Sequence, residues 1–351
     1  MSAHRGGPAV DGSVAQLAPV LEAGGPVLTD LLDRCEARLG EVVAAYGEPL
    51  GEFATGTLAA GGKRLRPVLV FLCGGAAASG APAAARSDEL GDDDGLVRAA
   101  TAVELLHMAT LVHDDVLDRA ALRRGRPTVY RTGGRVAATA TGDLLFSRAF
   151  AELAATGEAD AVRALSSASS ALARGELMQR ADAWSPHVTP ERYLARCELK
   201  TARLFAAGCR LGALLGRTNA AAADPLAAYG ERIGIAFQIF DDVLDVAGPA
   251  ARTGKRRGTD LLDGTVTLPL ILARRRDGDL QALDLRETVT DPAQAEAVCD
   301  RIAYTGALGE ARHEALRYVA EAKAALADLE LPDELRRALD LVADGVVERY
   351  A

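Results

Sequence analysis

The chain has 351 residues, 49% of them hydrophobic and only 4% aromatic, and a formal net charge of -9. Alanine and leucine dominate, which favours helix over strand, and the length accommodates one large domain or two ordinary ones. The acidic balance argues against a general nucleic-acid binder, and five scattered cysteines (Cys35, Cys73, Cys197, Cys209, Cys299) without a CxxC pair read as reduced thiols, not a disulfide frame or zinc site.

Residues 1–25 are rich in Gly, Ala and Pro and read as a loose arm, with no basic start and apolar core of the signal-peptide kind. Residues 26–351 read as a single all-α domain. Leu28, Leu31, Leu32, Cys35 and Leu39 recur at helical spacing and predict a helix from near Val27 toward Ala60. The stretch from Ala76 to Gly95 carries Pro, Gly and charge and reads as a loop, with Asp92, Asp93 and Asp94 solvated, not a metal cluster. From Leu96 onward, apolar-periodic segments alternate with breaks at 125–128, 185–190, 223–225 and 263–269. No sustained period-two alternation predicts a strand. No uninterrupted apolar run reaches the ~18 residues of a membrane span. A soluble, cytoplasmic protein is expected.

One short motif occurs twice. Asp-Asp-Val-Leu-Asp appears at 114–118 and again at 241–245, each time directly after an apolar helical run. On a helix the first and fifth positions share a face, which pairs Asp114 with Asp118 and Asp241 with Asp245. Four such carboxylates repel one another unless cations lie between them. Their hard oxygens suit Mg²⁺, which uses one or two carboxylates plus substrate phosphates. A bundle can bring two such helices face to face. Cationic residues accompany the motifs: Lys63, Arg64 and Arg66 in AGGKRLRPVLV, Arg123 and Arg124 after the first motif, Lys200 in ELKTARLF, and Lys255 in TGKRRGTD. Arg grips phosphate as a fork and Lys as a point charge. The pattern therefore predicts a metal–diphosphate site.

The segments GGKRLRP, HDDVLDRAALRRGRPT, GELMQ, ELKTA, AFQIFDDVLD and GKRRGTDLLDGTVTLPL, in this order, resemble the trans-isoprenyl diphosphate synthase (polyprenyl synthetase) family from about Gly61 to Leu270. The resemblance implies an all-α single large helical bundle around a central cavity, hosting head-to-tail prenyl transfer, and a homodimer. It implies that Asp114, Asp118, Asp241 and Asp245 hold three Mg²⁺ ions on an allylic diphosphate, with Asp115 and Asp242 in support. Arg123, Lys200 and Lys255 would contact that diphosphate. Lys63, Arg66, His107 and Arg124 would bind isopentenyl diphosphate, and Thr201 and Gln238 would line the reacting end.

In the family the residues just before the first motif form the floor of the product tunnel. Here these are Ala109 and Thr110, both small, and the motif lacks the insertion typical of bacterial short-chain members. Both features resemble medium- to long-chain synthases. Leu105 and Leu106 one turn below, and Phe146 or Phe150 on another helix, keep a geranylgeranyl product open. His113 beside Asp114 also matches metal phosphohydrolases, a reading that leaves the second motif unexplained. A terpene cyclase or head-to-head enzyme would lack the joint GGK and RRG elements, and a non-catalytic partner subunit would tend to lose the aspartates. The departures from the family pattern are Arg256, where Pro is common, and the long 76–95 loop.

Overall fold

The computed structural model describes residues 17–76, 93–216, 218, 220–248 and 257–348. These form a helical bundle. Helices α1 (Ala18–Ala44), α2 (Leu50–Ala59) and α3 (Leu65–Cys73) precede the long α4 (Asp94–Leu117). A two-stranded hairpin, β1 (Leu122–Arg123) with β2 (Arg126–Pro127), leads into α5 (Val129–Ala154) and α6 (Ala159–Asp182). Then come α7 (Pro190–Cys197), a π-helical turn (Glu198–Ala202), α8 (Arg203–Leu215) and α9 (Ala223–Ala247). Shorter helices follow α9, and two long ones, Ala307–Ala325 and Asp333–Glu348, close the bundle.

Helix α4 is buried nearly all round, from Leu96 and Val97 through Ala109 to Val112 and Asp115. That is the pattern of a central helix, not of an amphipathic surface one. It is long and apolar enough to cross a membrane, yet 72% of its most apolar window lies inside the bundle. It packs along α5, and α9 packs along α8, while α8 also touches α3, α4 and α6. The carboxyl ends of α4 and α9 carry the two aspartate motifs. All five cysteines are buried and free.

Glycines let these backbones approach. A Cβ on Gly234 of α9 would sit 2.5 Å from the Ala202 Cα in the π turn, a neighbour that cannot step aside. Gly234→Ala is therefore expected to cost about 2 kcal/mol by overpacking, read as a lower urea midpoint with an unchanged slope.

Several sequence expectations are corrected. The composition predicts a loose arm to residue 25, but α1 starts at Ala18, because Val20 reaches the core and the break falls at Gly25, whose φ of 68° is open to glycine. The helix expected from Val27 toward Ala60 is two helices, parted where Gly47 takes φ 61° and Pro49 follows. The break at 223–225 is the first turn of α9, and the 125–128 break is part of a hairpin. Of the acidic run at 92–94, Asp94 opens α4 and pairs with Arg98. Residues 77–92, Lys255 and Arg256 lie outside the described residues.

Candidate active site

The first motif occupies the last turn of α4. Asp114 and Asp115 are the helix's own residues and Asp118 is its C-cap. Asp241, Asp242 and Asp245 occupy the last two turns of α9. Carboxylates at helix C-termini oppose the macrodipole, so both clusters are electrostatically unfavourable as they stand. Cations on neighbouring elements offset this.

Arg123 Nε donates to Asp115 Oδ1 at 2.9 Å. On α6, Arg180 donates to Asp118 Oδ1 at 2.5 Å and to Glu176 Oε1 at 2.7 Å. The second Glu176 oxygen accepts from Lys200 Nζ. Burial pushes the Glu176 carboxyl up, but Lys200 and Arg180 outweigh it and leave it below the usual range. Burial raises Asp114 to about 6, against the pull of Lys200 and with Glu176 adding to the rise.

Thr201, the neighbour of Lys200 in the π turn, connects to the second motif. Its hydroxyl donates to Gln238 Oε1 at 2.7 Å, and Gln238 Nε2 donates to Asp242 Oδ1 at 2.8 Å. The Tyr193 hydroxyl donates to the other Asp242 oxygen at 2.6 Å. Asp242 is buried, and its pKa rises to about 8, chiefly through burial and then through Asp260, while Tyr193 and Gln238 oppose the rise. Asp245 Oδ2 accepts from the Asp260 backbone N–H at 3.2 Å. The π turn therefore joins the motifs: Lys200 reaches the network of the first and Thr201 that of the second. Such single-turn π insertions recur at functional sites.

A second cluster lies beside the first. The hairpin turn at Arg124 and Gly125 has φ of 51° and 75°, the positive pair that a two-residue turn requires. It aims Arg123 at Asp115 and lets Arg124 donate to the Gly61 carbonyl. Arg64 also takes φ 51°, and pairs with Glu36 and with buried Glu104 at 2.7 Å. Strained non-glycine backbone at two cationic residues of one cluster is typical of functional sites. Arg66 lies 4.6 Å over the Phe205 ring, and its Nε is sealed from solvent with no hydrogen-bond partner. Burial brings Arg66 down to about 10. Desolvation, then Arg66, Arg124, Arg123 and Arg64, push the His107 imidazole well below its usual value, leaving it neutral. A Cβ on Gly62 would stand 3.4 Å from Arg124 Nη1 and 3.5 Å from Glu104 Oε1, so that glycine leaves the cluster open. Lys63 follows it in the same loop.

His113 turns away from the aspartates: its ring lies against Gly142, and Nε2 is 3.2 Å from Asp143. The adjacent His-Asp pair therefore does not converge. Among the described residues, no three His, Cys, Asp or Glu side chains form a self-sufficient metal cage. The donor set that is present, two carboxylate clusters with cationic side chains beside them, fits Mg²⁺ sharing its coordination with phosphate oxygens.

A family model described as "Polyprenyl synthetase" matches residues 48–304. The chain belongs to the polyprenyl synthetase family. Curated relatives of this synthetase include heptaprenyl diphosphate synthase component 2 of Geobacillus stearothermophilus, 39% identical over 80% of this chain and 84% of that one. Another is geranylgeranyl diphosphate synthase of Methanosarcina mazei, 34% identical over 85% and 91%. Among solved structures, a decaprenyl diphosphate synthase from Rhodobacter capsulatus superposes with a TM-score of 0.82 at 33% identity, covering 94% of this chain and 99% of that chain. A polyprenyl synthase from Caulobacter crescentus, complexed with calcium and isoprenyl diphosphate, gives 0.81 at 32%, covering 98% and 100%. The all-α bundle and the prenyltransferase class expected from the sequence are both met.

Motif reading missed four side chains that partner the motif residues and their cations in this synthetase: Glu104, Glu176, Arg180 and Tyr193. Glu176 lies in the quoted GELMQ segment and Glu104 three residues before His107 on α4. Both were legible as charges on apolar helices. Arg180 and Tyr193 carry no signal in one dimension.

Proposed function

We propose that the protein condenses isopentenyl diphosphate head-to-tail with an allylic diphosphate, using Mg²⁺, as a cytoplasmic homodimer. The observation that carries this reading is the continuous run of polar contacts from Asp118 through Arg180, Glu176 and Lys200, then from adjacent Thr201 through Gln238 to Asp242. It links the two aspartate motifs through one run of contacts, which supports a shared site.

Asp114, Asp118, Asp241 and Asp245 would hold Mg²⁺, which neutralises the charge developing on a departing diphosphate. Lys200, Arg123 and Lys255 bind that diphosphate, with Asp115 and Asp242 as orienting carboxylates. Lys63, Arg66, Arg124 and neutral His107 take the isopentenyl diphosphate. Thr201 and Gln238, locked to one another, face the carbon that loses its leaving group. The isopentenyl double bond attacks that carbon, and a proton then leaves, the departing diphosphate being the base at hand. The apolar wall of α4 keeps water from the cation.

A medium- or long-chain product follows from Ala109 and Thr110, the latter on the Asp114 face of α4. A shorter, geranylgeranyl-like product is the second reading, favoured by fully buried Leu105 and Leu106 below. Labelled isopentenyl diphosphate with Mg²⁺ and three allylic primers separates them: products of thirty carbons or more support the first, a stop at twenty the second. No incorporation sinks the synthase reading. Thr110→Phe is expected to shorten the main product by at least one isoprene unit with kcat within about tenfold, because it fills the floor and leaves the carboxylates alone.

A further inference from the structure

Arg180 stands in the last turn of α6, an element to which neither motif belongs. Its side chain is 39% exposed, yet it is held by two carboxylates: Asp118 of α4 at 2.5 Å and Glu176 of its own helix at 2.7 Å. Glu176 also holds Lys200. Lys200 is the strongest cationic influence on Asp114. The signs therefore alternate along Asp118, Arg180, Glu176, Lys200 and Asp114. In the protein without substrate, Arg180 and Lys200 partly offset the three carboxylates of this run, Asp118, Glu176 and Asp114.

A guanidinium 2.5 Å from Asp118 Oδ1 and a divalent ion on the same carboxylate repel each other and compete for its charge. Metal arriving alone meets this positive neighbour, and displacing Arg180 leaves the guanidinium without a replacement for Asp118. Metal arriving with diphosphate brings new oxygens, which suit the planar fork of arginine better than any point charge. A long, partly exposed side chain can make that exchange without repacking the helix.

Building on the metal–diphosphate reading of this cleft, we propose that Arg180 is a resident counter-ion for Asp118. It competes with the divalent ion in the substrate-free protein and turns onto the allylic diphosphate once displaced. The consequence is reciprocal coupling: diphosphate draws Arg180 off Asp118 and so strengthens metal binding, and metal strengthens diphosphate binding by the same factor.

The test uses Mn²⁺ as a paramagnetic stand-in, titrated by electron paramagnetic resonance against the full-length protein, alone and with a thiolodiphosphate analogue of an allylic substrate that does not ionise. In Arg180→Gln, Mn²⁺ alone is expected to bind about tenfold more tightly, and the analogue in the presence of Mn²⁺ about tenfold more weakly. Arg180→Lys keeps the charge without the fork and should restore the weak binding of Mn²⁺ alone while recovering only part of the analogue affinity. Mn²⁺ affinity in Arg180→Gln equal to or below wild type overturns the counter-ion role, and unchanged analogue affinity overturns the swing onto diphosphate. A wild-type protein that binds no analogue with Mn²⁺ overturns the underlying reading of the cleft and this inference together. Wild-type binding with unaltered variants overturns Arg180 alone.

Discussion

Asp114→Asn is expected to lower kcat about 10²- to 10³-fold, the scale of losing one electrostatic contact to a leaving group, while making the metal-free protein more stable. The two effects have one cause. Burial at the negative end of α4, and after it Glu176 and Asp118, hold the folded Asp114 pKa at about 6, above the 3.8 of a free side chain. A carboxyl raised in the folded state favours folding below its unfolded value, and that contribution fades as pH rises through the folded value. Above pH 6 the ionised Asp114 therefore opposes folding, and asparagine of the same shape removes the charge. The rise from 3.8 to about 6 sets this gain at about 3 kcal/mol at most. Urea unfolding in chelator, compared at pH 8, 5 and 3, gives the check: the stabilisation should be full at pH 8, about halved at pH 5, and lost only below the unfolded value of 3.8. Near-normal kcat in Asp114→Asn, with Mg²⁺ saturating, would remove Asp114 from the metal set.

Arg66→Met is expected to raise the KM for isopentenyl diphosphate about 10²-fold, leave the KM for the allylic substrate within a few-fold, and raise the unfolding temperature. Arg66 has an Nε without solvent or partner, lies over Phe205, and falls to about 10 through burial. A charge held in this way is costly to the fold unless an anion completes it, and replacing a buried ion by an apolar side chain of similar volume is often stabilising by about 1–4 kcal/mol. The missing partner would be the second diphosphate. Steady-state kinetics with each substrate varied, together with calorimetric unfolding, separates the outcomes. A drop in both activity and unfolding temperature would mean that Arg66 serves packing between α3 and α8, and that the binding role belongs elsewhere in the cluster. Together the two substitutions test whether stability has been given up at this cleft for catalysis.

Much of this was legible in one dimension. The repeated Asp-Asp-Val-Leu-Asp pattern, with its i and i+4 spacing, fixes that Asp114 and Asp118 share a helix face, and so do Asp241 and Asp245. Helix content followed from alanine, leucine and apolar spacing. Boundaries were less secure. The GGP at 24–26 reads as the end of a loose arm, yet helix continues up to Gly25, because Val20 finds a core. The hairpin at 122–127 is too short to show a strand period at all.

One dimension yields an inventory: two carboxylate sets, a cationic complement, and an all-helical chain to carry them. Only the tertiary structure decided the partners. Arg123 goes to Asp115, Arg180 to Asp118, Lys200 to Glu176, and Tyr193 with Gln238 to Asp242. His113, adjacent to Asp114 in the chain, turns instead to α5. The reason is geometric. A helix sets the direction of its side chains by a fixed local rule, whereas the element each side chain meets depends on how closely backbones approach, and here that is set by glycines such as Gly142, Gly175 and Gly234 whose absent side chains admit a neighbour.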